Sequence, residues 1–216
     1  MGSIKRVTCD SQHTDRDPKR AHAFTLIQLL VVIAIIAILI GLLFPAFSAV
    51  QDQAKRTQAK NDLTQIVNAV NAYYTEYGKY PLVTADTIIT ITSTPNNADL
   101  FYTLRAVALG ANTGDVANPR KIAFISPPDV KDPANPRSGI GTTTGAGRYY
   151  DPWGSNYVIR IDGTYDNQVP NPYTANAGAT RNLQIGVIAW SLGKNQAGGS
   201  GDKKSATSDD DVISWQ

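Results

Sequence analysis

The stretch from Ser191 to Gln216, SLGKNQAGGSGDKKSATSDDDVISWQ, carries the residue types most able to do chemistry. It combines glycines, amide and hydroxyl side chains, and the acidic triplet Asp209-Asp210-Asp211. Calcium takes about six to eight oxygen ligands, drawn from carboxylates, amide side chains and main-chain carbonyls. Glycines let a loop turn its carbonyls inward. The spacing is not that of an EF-hand, whose alternating Asp/Asn positions before a central glycine are missing. On residue types alone, the other reading is a solvated acidic tail whose Trp215 packs on a sheet.

Catalytic constellations are absent. Both histidines, His13 and His22, and the single cysteine, Cys9, precede Phe24. The rest of the chain therefore lacks the commonest general base and the ligands of zinc and thiol chemistry. Glu76 is the only glutamate. Gly193-Lys194 follows a strand-like run but lacks the remainder of a phosphate-binding loop. No enzyme is expected.

The elements that must position the C-terminal stretch begin far upstream. Phe24 to Val50, FTLIQLLVVIAIIAILIGLLFPAFSAV, has no ionisable side chain. As a helix it would be about 40 Å long, more than a hydrocarbon core of roughly 30 Å. Before it lie Lys5, Arg6, Arg16, Lys19 and Arg20 against Asp10, Asp15 and Asp17, which together carry the whole formal net charge of +2. The neutral remainder offers no basic field for nucleic acid. Residues 1–23 read as an unstructured cytosolic segment. The basic flank before the apolar run favours a cytoplasmic N-terminus, modestly, because Lys55, Arg56 and Lys60 lie beyond it. With Cys9 in the leading segment, no disulfide is available to staple the rest.

Residues 51–77 change character. Leu63, Ile66, Val67, Val70, Tyr73 or Tyr74, and Tyr77 recur at helical spacing, while Asp52, Lys55, Arg56, Lys60, Asp62 and Gln65 fall on the opposite face. The pattern predicts one long helix from Phe24 to Tyr77, bent or loosened near Gly41 and Pro45 and stopped by Gly78 and Pro81. Residues 82–93 suit a short strand or a loop. A helix from about Ala98 to Leu109 is expected, capped by Asn97 or Asp99. Strands are expected at Lys121–Ser126, at Tyr157–Ile161 after the turn Asp151-Pro152-Trp153-Gly154, and at Leu183–Leu192. Residues 129–147 and 163–182 read as surface loops. The sum is an α+β head with an antiparallel sheet of about three strands on the amphipathic helix.

Two motifs resemble one family. Ala23 to Phe47, AFTLIQLLVVIAIIAILIGLLFPAF, is similar to the class III signal of type IV pilins and type II secretion pseudopilins. The resemblance implies cleavage between Ala23 and Phe24 by a prepilin peptidase and N-methylation of Phe24. It also implies the lollipop fold of that family, with a cytoplasmic leader over residues 1–23, a membrane and fibre-core helix over 24–50, and a periplasmic head over 51–216. Gly41 and Pro45 match positions where the family's helices loosen. Gln28 stands where the family usually has a Glu that pairs with a neighbouring subunit's terminal amine, so it brings a hydrogen-bond acceptor without charge.

The segments DPWGSNY, SLGKNQAGG and DDVISW resemble the C-terminal half of the major pseudopilin of type II secretion, which binds one calcium there. The implied ligands are the carbonyls of Leu192 and Ala197, the side chain of Asn195 and the carboxylates of Asp210 and Asp211. Asn195 replaces an Asp, which implies weaker affinity, and Trp215 becomes the peg that docks the loop. The implied partners are prepilin peptidase, further copies of the chain, minor pseudopilins and an inner-membrane secretion platform. The resemblance thus implies a single-pass inner-membrane precursor that assembles into a pseudopilus. Two other readings stay open: a type IV pilin or minor pilin for adhesion or DNA uptake, and a membrane-anchored binding module that uses its long loops.

Overall fold

A computed structural model describes residues 25–178 and 181–216. The chain divides into two compact units, at Phe47 and Ser48. Helix α1 (Leu26–Tyr77) is assigned without a break through Gly41 and Pro45. The loosening expected at those residues therefore does not interrupt it. Then follow β1 (Thr87–Ile89), α2 (Asn97–Leu104) and a 3-10 segment (Gly110–Asp115). The remaining strands are short: β2 (Gly139–Ile140), β3 (Tyr149–Tyr150), β4 (Val158–Ile161), β5 (Val169–Pro170), β6 (Tyr173–Ala175), β7 (Asn182–Leu183), β8 (Val187–Ser191), β9 (Gly201–Asp202) and β10 (Val212–Ile213).

In the first unit the described large apolar side chains from Leu26 to Ile40 are all exposed, between 46% and 79%. They lie on every side of the helix rather than on one stripe, a pattern found where a helix is surrounded by apolar material. Among the described residues no helix is long and apolar enough to cross a membrane. The apolar stretch whose side chains are described, 26–41, is shorter than the roughly 20 residues a span requires.

In the second unit the apolar stripe of α1 does what its spacing predicts. Ala59, Leu63, Ile66, Ala69, Val70 and Tyr73 are buried against Leu100, Phe101 and Leu104 of α2 and Ile159 and Ile161 of β4. Gly78 ends the helix in a left-handed conformation, its N–H reaching the Tyr74 carbonyl at 2.8 Å. The sheet is antiparallel, in the order β1-β4-β8-β10, so it has four strands rather than three. Side-chain alternation splits its faces. Ile159, Ile161, Val187 and Ala189 face the helices, whereas Ile188 and Trp190 join a second cluster with Val169, Tyr173, Leu183 and Ile213.

Several expectations need correction. Asp62 is not on a solvated face: it is 8% exposed and accepts a 2.8 Å hydrogen bond from the Tyr157 hydroxyl. Burial pushes its carboxyl above the ordinary value, against the pull of its tyrosine hydrogen bonds. Helix α2 stops at Leu104, because Ala106 is left-handed. Its cap is Asn96, in a reciprocal capping box with Asp99, and not Asn97 or Asp99. Asn97 is instead buried and bridges the Tyr157 carbonyl and the Tyr149 N–H. Lys121–Ser126 forms no strand. Lys121 is left-handed, the Asn118 side chain holds both backbone groups of Ile122, and Phe124 gives its N–H to the Leu104 carbonyl. With those groups already satisfied, no strand partner is required. The loops 129–147 and 163–182 contain the short strands β2, β5 and β6.

One buried clasp positions the C-terminal loop. Asp151 Oδ1 accepts the N–H groups of Trp153, Gly154 and Ser155 at 2.8–2.9 Å, closing the Asp-Pro-Trp-Gly turn. Its Oδ2 accepts the Ser191 hydroxyl at 2.5 Å, and Ser191 Oγ in turn accepts the Gly193 N–H at 3.1 Å. The carboxyl of Asp151 is raised by burial, against four hydrogen bonds that favour its charge. Asp151 thus ties the turn before β4 to the end of β8. Replacing Asp151 with Ala strands several buried donors, so stability should fall by about 3 kcal/mol or more. Chemical denaturation of the full chain in detergent, followed by tryptophan fluorescence, checks this. Asp151→Asn keeps an acceptor for the turn and should lose less; equal loss in both would show that the turn is not what Asp151 holds.

Candidate functional site

The loop between β8 and β10 folds back on itself. Its first arm is residues 192–199 and its second is 207–211. Asn195 donates its backbone N–H to Asp210 Oδ2 at 2.7 Å and its side-chain amide to the Thr207 carbonyl at 3.0 Å. Asn195 Oδ1 accepts the Ala197 N–H at 2.8 Å. Asp211 Oδ2 accepts the Gly199 N–H at 2.9 Å and the Tyr173 hydroxyl at 2.7 Å. The arms approach closely at two glycines. A Cβ at Gly193 would lie 2.4 Å from the Asp210 carbonyl oxygen, and one at Gly198 would lie 2.3 Å from the Thr207 carbonyl oxygen. Both also have positive φ, so glycine meets the steric and the backbone demand together.

Asp211 is the distinctive group. It is only 4% exposed, and its Oδ1 has no hydrogen-bond partner. A buried carboxylate oxygen left unpaired is costly unless a cation or a proton meets it. Burial raises the Asp211 carboxyl, while the Tyr173 and Gly199 hydrogen bonds and the charge of Lys203 oppose the rise. The expected donors are all oxygen, the Asp210 and Asp211 carboxylates, the Asn195 amide, and the Leu192 and Ala197 carbonyls; the structure ties Asn195 to Asp210, and Asp211 to Gly199 and Tyr173. Hard oxygen donors with two charges suit calcium and suit soft transition metals poorly. By donor type, these residues suit the ion. Among the described residues no group of three or more His, Cys, Asp or Glu side chains could hold a metal, so main-chain and amide oxygens would have to complete the shell.

The loop is tied to its surroundings. Gln196 donates to the Trp153 carbonyl at 2.8 Å, joining the first arm to the Asp151 turn. Lys194 pairs with Asp52 at 2.6 Å. The Lys60 ammonium donates to the carbonyls of Ile213, Ser214 and Gln216. Trp215 packs on the second core cluster: its indole N–H reaches the Ala177 carbonyl at 2.8 Å, and its ring lies beside Tyr173 and Trp190. Asp151, Tyr173 and Lys60 were not apparent as site residues. Asp151 had a signal, since Asp before Pro-Trp-Gly is the pattern of a side chain capping its own turn. Tyr173, distant in sequence, had none.

At the other end of the chain, Ala23 and Phe24 lie outside the described residues, as does the Pro45 side chain. Gln28 is described. Its Oε1 accepts the Thr25 N–H at 3.0 Å, and its own N–H reaches Thr25 Oγ1 at 3.3 Å. Thr25 and Gln28 thus form a capping box at the start of α1. The Gln28 amide holds the helix start without the roughly 0.3–1 kcal/mol that a carboxylate would gain there from the helix dipole.

Three comparisons bear on this chain. Residues 18–44 match the family model described as the prokaryotic N-terminal methylation motif. The chain is 38% identical over 63 residues to the type II secretion system core protein G of Pseudomonas aeruginosa, covering 29% of this chain and 44% of that protein. It is 36% identical over 61 residues to the type IV major pilin protein PilA of Myxococcus xanthus, covering 28% of each. In both cases the match spans less than half of the relative's own length. Neither relative bears the name of an enzyme. No solved structure matches the chain. Over residues 18–44, therefore, this chain bears the N-terminal methylation motif of the type IV pilin and pseudopilin family.

Proposed function

We propose that this chain is a structural subunit of a type II secretion pseudopilus. The observation that carries the reading is the methylation motif over residues 18–44 running into a helix whose apolar side chains are exposed on every side. Such a surface requires lipid or other apolar helices around it. The precursor would sit in the inner membrane through residues 24–50, with a cytoplasmic N-terminus and a periplasmic head. A prepilin peptidase would cut between Ala23 and Phe24 and methylate Phe24. The helices would then pack side by side in a fibre with further copies and minor pseudopilins, on an inner-membrane platform.

A pilus subunit is the second reading, and the likeness to a major pilin favours it. The C-terminal half supports the secretion role instead. There the DPWG turn and the SLG strand end are joined by Asp151, beside a loop with an unpaired buried carboxylate oxygen. In this reading calcium is held by the Leu192 and Ala197 carbonyls, the Asn195 amide and the Asp210 and Asp211 carboxylates. When bound, the ion supplies the positive charge that Asp211 Oδ1 lacks. Asn195 contributes one charge fewer than an Asp would, so affinity is expected to be modest.

Two measurements test these claims. Mass spectrometry of the chain from membranes of a host with prepilin peptidase should find a methylated Phe24 at the mature N-terminus; an intact leader would refute the processing. The melting temperature of the full chain in detergent should rise by a few degrees at millimolar calcium over a chelator control. The absence of any rise removes the metal from the account.

A further inference from the structure

The loop between β8 and β10 already contains a cation of its own. The backbone of Lys203 is fixed, because β9 pairs in parallel with β6 and the Lys203 N–H reaches the Ala175 carbonyl at 3.1 Å. From there its side chain returns to the second arm of the loop, where Nζ donates to the Asp209 carbonyl at 3.1 Å. That carbonyl belongs to the residue just before the proposed ligands Asp210 and Asp211. Lys203 and Asp211 also line one open groove of about 570 Å³, together with Arg56 and Lys60 of α1.

The other nearby lysines do not fill this place. The Lys60 ammonium is held by the carbonyls of Ile213, Ser214 and Gln216. Lys194 is paired with Asp52. Lys204 is exposed, and both its backbone N–H and its charge act on Asp202 rather than on the second arm.

We propose that the Lys203 ammonium is the built-in counter-ion of this loop, and that it competes with calcium for the Asp210–Asp211 end. The inference rests on the calcium reading given above. The physical basis is charge balance. The Asp210 and Asp211 carboxylates together match one divalent ion, and Asn195 adds no further charge. A calcium ion entering beside the Lys203 ammonium meets a like-charge repulsion that the solvent of the open groove screens only in part at contact distances. Asp209 holds the lysine through its main-chain carbonyl rather than its exposed carboxylate. Calcium binding therefore moves the Lys203 ammonium off the Asp209 carbonyl and into the open groove. The loop has two cationic states, one with lysine and one with metal, and the lysine state lowers the apparent calcium affinity.

Thermal melting of the full chain in detergent, over a calcium titration from chelator to 10 mM, tests this. The variants are Lys203→Met and Lys203→Gln, with Lys203→Arg and Lys204→Met as controls. Gln keeps a donor for the Asp209 carbonyl while removing the charge, which covers the case in which Met prevents folding. In chelator both neutral variants should melt below the unsubstituted chain. Their half-saturating calcium should be about tenfold lower, and at saturation their melting temperatures should rejoin that of the unsubstituted chain. Lys203→Arg and Lys204→Met should leave the calcium midpoint unchanged. If the unsubstituted chain responds to calcium and both neutral variants share its midpoint, Lys203 is not a competitor and the calcium reading stands alone. If no variant responds at 10 mM, the calcium reading fails and this inference fails with it.

Discussion

The head of this protein depends on the burial of a single helical stripe. Ala59, Leu63, Ile66, Val70 and Tyr73 leave water together on one side of α1. Helix α2 and the inner face of the β4–β8 pair meet there. Each large side chain so buried contributes about 1.5–3 kcal/mol of transfer free energy, enough that losing one is a sizeable fraction of an ordinary domain's stability. The polar groups drawn in with the stripe are matched. Asp62 meets the Tyr157 hydroxyl, Asn97 meets two backbone groups, and the Tyr73 hydroxyl meets the Ala117 carbonyl at 2.6 Å. Among the described residues two buried atoms lack a partner: Trp153 Nε1, in the cluster around the stripe, and Asp211 Oδ1, which the proposed cation would meet.

The N-terminal unit presents the opposite case. Leu26, Ile27, Ile33, Ile36 and Ile38 are each close to half exposed or more, with no stripe among them. A solvated surface of that kind is unfavourable at roughly 25 cal/mol per Å² of apolar area. In the proposed function lipid covers it before assembly, and other copies of the same helix cover it afterwards. The capping box of Thr25 and Gln28 fits that use, because it satisfies helix-start donors within the chain.

Much of this was legible in the sequence. The stripe from Leu63 to Tyr73 follows from three- and four-residue spacing, since burial demands that periodicity. The strand around Ile159 follows from alternation after its turn residues, and the one around Ala189 from a short apolar run that is buried throughout. Lys121–Ser126 misled, because its apolar alternation belongs to a segment whose backbone is held by Asn118 and Leu104, and pattern alone does not record side-chain-to-backbone bonding. Asp62 misled for a related reason: its place on the helical wheel borders the stripe, and only the distant Tyr157 makes its burial tolerable. In the C-terminal loop, the residue types suggested oxygen ligation, and the fold brings Asn195 beside Asp210 and Gly199 beside Asp211. Lys203 as a rival cation was invisible, because the pairing of β6 with β9 that aims it joins segments with no shared pattern.

The central claim is that the apolar helix serves first as an anchor and then as the contact between copies. The unprocessed chain keeps Cys9, so with Cys9 replaced by Ser a single cysteine placed at Ile36 reports on that contact alone in both hosts. The direct measurement is oxidative crosslinking of Ile36→Cys in membranes of a host with and without its prepilin peptidase. The account predicts disulfide-linked dimers when the peptidase is present and monomers when it is absent. Monomers in both hosts, or dimers regardless of the peptidase, would contradict it.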